Sequence, residues 1–150
     1  MAFLPHKLKI AGWALLSLGI VFSSAYAFLD FRFTMPVIAV FSYFTEARYF
    51  AFFETNFADE LAMISLLSGL FILSFTREKK ETALLDQLRN QALKKTLLYN
   101  SVFVFCSILF VYGVGFLGAM VLNLFSPLII YLVLFYRSVS KHKANPKNKV

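Results

Sequence analysis

The sequence predicts an all-α membrane protein with four transmembrane helices and both termini in the cytoplasm. Three observations carry this prediction. Of the 150 residues, 59% are hydrophobic and only 15% charged, whereas about 25% are charged in a typical soluble domain. The apolar residues are gathered into uncharged runs, and about 20 apolar helical residues cross a ~30 Å hydrocarbon core. The lysines and arginines fall into three segments that an even number of spans would place on one side.

The first span is predicted at 9–29, because Ile10–Leu29 carries no charge between Lys9 and Asp30. Basic residues before it and Ala25-Tyr26-Ala27 near its end also match a secretory signal cleaved after Ala27. An uncleaved span is the preferred reading, because the apolar run continues past Ala27 and a multispan protein needs no separate export signal.

Segment 30–60 holds ten Phe and Tyr in 31 positions, a density that suits the bilayer interface. Its β-branched and aromatic content predicts a β-hairpin over 36–54, joined near Thr45–Arg48. An amphipathic helix lying on the outer leaflet is the competing reading. A fifth span over 33–53 is disfavoured, since Glu46 and Arg48 would then lie near mid-membrane.

The second span is predicted at 57–76. Asn56 is expected to cap it, with Asp59 three residues on as in a capping box, and Asp59 and Glu60 in a first turn that favours negative charge. The sharper alternative makes Asp59 and Glu60 a polar site for a cation or proton at the outer mouth.

The stretch Thr76–Lys95 has no Pro or Gly and predicts a cytoplasmic helix over 77–95. Arg77 with Glu81 and Asp86 with Arg89 are spaced as helical ion pairs. Leu84, Leu85, Leu88 and Ala92 form one apolar stripe. That stripe either packs on a neighbouring span or serves as a partner-binding face.

Thr96–Tyr136 has 41 residues and no formal charge. As one helix it would be roughly 60 Å long. It therefore predicts spans at 96–114 and 117–136, with the turn at Gly113–Gly118. Asn123 and Ser126-Pro127 interrupt the fourth span. Asn123 should seek a partner across helices, Asn100 or Ser101, and Pro127 should free a backbone carbonyl. Interhelical glue is the plainer role for these residues, and a polar substrate site the sharper one. Residues 1–136 thus form one transmembrane domain, and the basic stretch 137–150 reads as a disordered cytoplasmic tail.

On this layout 13 of the 15 basic residues lie inside with three acidic ones, a net of +10, and the outer side sums to −3. The basicity is therefore a topology signal with affinity for anionic lipid headgroups, and nucleic-acid binding is a poor explanation of it.

No catalytic, cofactor or metal motif survives inspection. Gly113–Gly118 spells GxGxxG, but it lies between two helices and lacks the acidic residue a dinucleotide site needs. The lone Cys106 reads as a packing residue, and the two histidines are in the terminal segments. No predicted span buries an ionisable group at its centre, which argues against a proton-coupled carrier.

The runs REKKETALLDQLRNQA (77–92), LLYN (97–100), VYG (111–113) and LNLF (122–125), with the Asn56-to-Glu60 spacing, resemble a group of small four-span bacterial inner-membrane proteins with no established activity. The resemblance implies the topology and the inner membrane, and no mechanism. These readings together point to a non-enzymatic membrane scaffold or accessory subunit that self-associates or binds another membrane protein. The alternative is a small homo-oligomeric transporter or pore, lined by Asp59, Glu60, Asn100, Asn123 and Pro127.

Overall fold

The uncharged runs form four helices, and the aromatic segment between the first two helices forms a hairpin. The computed structural model describes residues 4–43, 47–79 and 82–144. Its elements are α1 (Leu8–Leu29), β1 (Thr34–Tyr43), β2 (Ala47–Asn56), α2 (Ala58–Phe75), α3 (Ala83–Phe110) and α4 (Val114–Ala144). All four helices are long and apolar enough to cross a membrane. The chain divides into two compact units, 1–12 with 70–150, and 13–69.

In the 13–69 unit, α1 stops at Asp30, whose φ is +49°. Aspartate tolerates this left-handed conformation better than most residues, so it makes a serviceable helix terminator. The Phe31 N–H donates back to the Ala25 carbonyl at 3.3 Å. Strands β1 and β2 pair antiparallel from Thr34↔Asn56 to Tyr43↔Ala47. The segment is therefore a hairpin, longer than the predicted 36–54, and neither an interfacial helix nor a fifth helical span. Of the expected joint Thr45–Arg48, residues 45 and 46 lie outside the described residues, and Ala47 and Arg48 already belong to β2. Ile38, Val40, Phe50 and Phe52 share one strand face, and all four are exposed. The Val40–Phe50 step is missing from the ladder, and Phe50 sits at φ +50°.

Asn56 does not act as the predicted cap. Its Oδ1 accepts from the Ala58 N–H (3.3 Å) and the Phe33 N–H (3.1 Å), while the Phe57 carbonyl receives the first helical bond from Leu61. Asn56 thus stands one residue outside the helix and ties the base of the hairpin to its start. Within the same unit, a Cβ built on Gly19 would lie 2.7 Å from the Leu66 backbone nitrogen. The α1 and α2 backbones meet there as closely as only glycine allows.

In the other unit the predicted cytoplasmic helix 77–95 is not a separate element. Residues 77–79 are non-helical, and α3 runs without a break from Ala83 to Phe110. Thr82 caps it, accepting the Leu85 N–H through its hydroxyl at 3.3 Å. The connection leaves the helical path because Thr76 pairs with Leu4 as a short parallel bridge. Leu4 N–H donates to the Phe75 carbonyl at 2.9 Å, and Arg77 N–H to the Leu4 carbonyl at 3.0 Å. The predicted Arg77–Glu81 pair falls partly outside the described residues.

The α3–α4 turn is shorter than the predicted Gly113–Gly118. Helix α3 ends at Phe110, Val111 N–H closes on the Ser107 carbonyl at 3.0 Å, and Gly113 takes φ +64°. One glycine suffices for the reversal, so Gly115 and Gly118 are already helical. Helix α4 then continues through Ala144, where a disordered tail was expected from 137. The antiparallel α3–α4 pair extends this far because its apolar seam does: Leu88 and Ala92 pack on Phe135, with Leu85, Tyr131 and Val139 around them.

Candidate functional site

The richest side-chain chemistry lies in the unit formed by 1–12 and 70–150, where the N-terminal segment, the α2–α3 connection and the facing ends of α3 and α4 meet. Lys9 Nζ donates to Glu78 Oε1 at 2.7 Å, and the Tyr136 hydroxyl donates to the same oxygen at 3.2 Å. The Lys9 ammonium also stands 5.1 Å from the Tyr136 ring centroid. His6 Nδ1 donates to the Arg77 carbonyl at 3.0 Å. Burial alone would raise the Glu78 carboxyl, but the Lys9 ammonium, with help from the Tyr136 hydroxyl and the Arg89 charge, holds it below its ordinary range.

Arg89 is the least expected member. Its residue is only 5% exposed. One guanidinium nitrogen donates to the Thr76 carbonyl at 3.2 Å, and the group lies 4.9 Å over the Phe135 ring. A carbonyl and an aromatic face contribute to the compensation a buried guanidinium needs.

Beside Arg89 a cavity of about 370 Å³ opens among the end of α2, the middle of α3 and α4. Its α3 wall follows one helical face through Asp86, Arg89, Asn90, Leu93 and Thr96 to Leu97. Pro127, Leu128 and Tyr131 of α4 stand opposite, and Ser74 and Phe75 of α2 close a side. The wall is polar at one end and largely apolar at the other. The Ser74 and Thr96 hydroxyl oxygens are buried on it without a hydrogen-bond partner among the described residues.

Deeper along the same helix pair, Ser126 Oγ donates to Asn100 Oδ1 at 2.5 Å across the α3–α4 interface. Asn123 Oδ1 and the Asn123 carbonyl each lie 3.5 Å from that hydroxyl. The Asn123 carbonyl is the one Pro127 deprives of a helical donor. The interhelical partner of Asn100 is thus Ser126, singled out in the sequence with Pro127, and Asn123 lies beside that hydroxyl.

The other predicted positions separate. Leu88 and Ala92 are buried in the α3–α4 seam and Leu85 packs beside them, which leaves Leu84, 42% exposed, as the outward member of the stripe. An open four-residue docking face does not exist in this fold. Asp59 and Glu60 do fall in the first turn of α2, in the 13–69 unit, each with one buried carboxylate oxygen that has no hydrogen-bond partner among the described residues. Pro127 lines the cavity while Asn100 and Asn123 do not. Cys106 is exposed on α3. No group of three or more His, Cys, Asp or Glu able to hold a metal occurs among the described residues.

Sequence reasoning missed Lys9, Glu78, Tyr136 and the burial of Arg89. A signal for Arg89 was present: it lies between Leu88 and Ala92 and one helical face with Thr96, so it flanks the apolar stripe instead of opposing it. Nothing in the sequence pairs Lys9 with Glu78, 69 residues away.

Comparisons with models of known protein families, with curated proteins and with solved structures found no match. Nothing in them or in the described residues positively indicates catalysis.

Proposed function

We propose that this chain is a non-enzymatic integral membrane scaffold or accessory subunit, which self-associates or binds another membrane protein through the outward faces of its spans. The observation that carries this reading is the division of labour in the 1–12 and 70–150 unit. Its buried polar groups hold its own segments together: Lys9, Glu78 and Tyr136; Arg89, Thr76 and Phe135; Asn100 and Ser126. Its outward surfaces are apolar, as on α3, where Leu98, Val102 and Phe105 form one face and are 62%, 53% and 64% exposed. Such a face suits lipid or another helix and offers no chemistry.

On this reading both termini are cytoplasmic and the membrane is a bacterial inner membrane. The concentration of basic residues supports the orientation, and the resemblance noted above supports the location. The meeting of the N-terminal segment, the 75–78 connection and the Phe135–Tyr136 region at one end of the unit is in keeping with it. The same contacts favour retention of the first helix, since residues ahead of Ala27 are hydrogen-bonded to the body of the protein. The basic residues at that end attract anionic headgroups.

The test is affinity purification of tagged protein from its native membrane in mild detergent, beside a variant with Leu98→Ala, Val102→Ala and Phe105→Ala. A stoichiometric membrane partner, or a second copy, that is lost in a variant still inserted in the membrane supports the proposal. Recovery of a monomer alone from both counts against it. Intact mass of the same sample reads out the first span. No geometric observation favours the pore reading, because Asn100 and Asn123 converge on Ser126. A change in flux on joint Asp59→Asn and Glu60→Gln substitution would revive it.

A further inference from the structure

We propose that the cavity among α2, α3 and α4 is a binding site for one membrane phospholipid with a phosphate-and-ammonium headgroup, held by its headgroup and glycerol-ester region. The inference goes beyond scaffolding but rests on reading the helices as membrane spans.

The first argument is the pattern of hydroxyl groups. A serine or threonine on an apolar helix ordinarily donates to a carbonyl three or four residues back in its own helix. Ser17, Ser24, Thr76 and Ser107 all do so. Ser74 and Thr96 are 4% and 2% exposed, line the cavity, and do not. Two buried hydroxyls without partners, on two sides of one cavity, are costly unless an acceptor fills the space between helices. The ester carbonyls and glycerol oxygens of a phospholipid are acceptors of that kind, and hydrocarbon is not.

The second argument is the gradient along the wall. From Asp86 to Leu97 is about 16 Å of helix rise. That length covers the headgroup zone and the upper part of one leaflet's hydrocarbon. Asp86, Arg89, Asn90 and Tyr131 occupy the polar end, and Leu93, Leu97 and Leu128 the apolar one. The cavity is small among ligand pockets. It admits the polar and ester region with the start of one chain, and the remainder lies along Leu93 and Leu97, which are 44% and 61% exposed.

The third argument is charge. The two formal charges on the wall, Asp86 and Arg89, are opposite in sign and one helical turn apart. A headgroup carrying only negative charge would meet Asp86 unfavourably. One with a phosphate toward Arg89 and an ammonium toward Asp86 complements both.

The test begins with carbonate-washed membranes. Release of the chain there would overturn the span reading itself. Retained protein is purified in mild detergent, delipidated, and titrated with phosphatidylethanolamine or phosphatidylglycerol of the same acyl chains, followed by native mass spectrometry. One phosphatidylethanolamine should bind, at least several-fold more tightly than phosphatidylglycerol. Thr96→Val keeps the shape and removes the hydroxyl, and should weaken binding about three- to tenfold, the range expected for one lost hydrogen bond. It should not lower the thermal midpoint of the lipid-free protein. The surface variant Asp86→Asn should reduce the preference for phosphatidylethanolamine. Equal, multiple binding of both lipids unaffected by Thr96→Val would mean a detergent-shell association only and would overturn the site. A preference for phosphatidylglycerol in the unmodified protein would overturn the headgroup assignment.

Discussion

Substituting Arg89 and Phe135 singly and together should reveal a coupling of about 2 kcal/mol between them. The size follows from burial. A cation over an aromatic face contributes about 0.5–1 kcal/mol when wet and about 2 when desolvated, and these residues are 5% and 2% exposed. Arg89→Met keeps an unbranched apolar chain and removes the charge. It also leaves the Thr76 carbonyl without that donor, a loss of about 1–3 kcal/mol. Phe135→Leu keeps a buried apolar group and loses the ring contacts with Tyr131 (6.0 Å) and Tyr136 (5.4 Å), about 0.5–1.5 kcal/mol each. These side effects occur on both legs of the double-mutant cycle and cancel in the coupling term. The assay is reversible denaturant unfolding in one detergent, followed by circular dichroism, for the four proteins. A coupling below about 0.5 kcal/mol, within the scatter of additivity, would refute the claim that the ring stabilises the buried charge. The guanidinium would then be held by its hydrogen-bond partners, the Thr76 carbonyl among them.

Three further outcomes are expected. The Glu78 carboxyl titrates below its ordinary range in the folded protein, so its contribution is fully present above that range and is lost as pH falls through the folded value. Thermal midpoints measured from pH 7 down to about pH 3 should fall more steeply for the unmodified protein than for Glu78→Gln, and parallel curves would contradict the Lys9–Glu78–Tyr136 arrangement. Gly19→Val should lower stability by at least about 1–3 kcal/mol through overpacking, because its Cβ would meet the Leu66 backbone at 2.7 Å. Gly118→Ala, with nothing within 4 Å, should be neutral or stabilising by up to about 1 kcal/mol; equal effects in thermal unfolding would count against the close α1–α2 approach. Ser126→Ala should cost about 0.6–1.7 kcal/mol in the same assay by breaking the tie to Asn100, and an unchanged midpoint would show that tie to be energetically silent.

The hairpin and the helices show where local sequence is sufficient. β-formers dominate 34–56, and the structure keeps them extended. The first uncharged run ends before Asp30 and the second begins after Glu60, and α1 and α2 follow them, α2 starting three residues earlier at Ala58. Legibility failed where a distant segment competes for the backbone. Thr76–Lys95 has helical composition throughout, yet 77–79 leaves the helix because Leu4 pairs with Thr76. The helix then restarts at the Thr82 cap. Similarly, the polar sequence after Tyr136 gave no sign of a helix, since the reason for it is the seam with α3, in which Val139 takes part.

The candidate site was legible only in fragments. Pro127, Asn100 and Asn123 were picked out as polar or irregular features of apolar segments, which composition alone makes conspicuous. The partners that give them meaning, Ser126 for the asparagines and Thr96, Ser74 and Arg89 around the cavity, look ordinary in a linear chain.

By itself, the sequence determined four apolar helices of sufficient length, the aromatic hairpin between the first two, and the concentration of positive charge in three segments. These follow from hydrophobicity, β-propensity and charge counting, which are properties of short stretches. Only the tertiary structure decided which face of α3 is buried, which hydroxyls lack a partner, and which carboxylate meets Lys9. Those outcomes depend on contacts between residues far apart in the chain, as Lys9 and Glu78 are 69 positions apart, and helical periodicity names a face without naming what it meets.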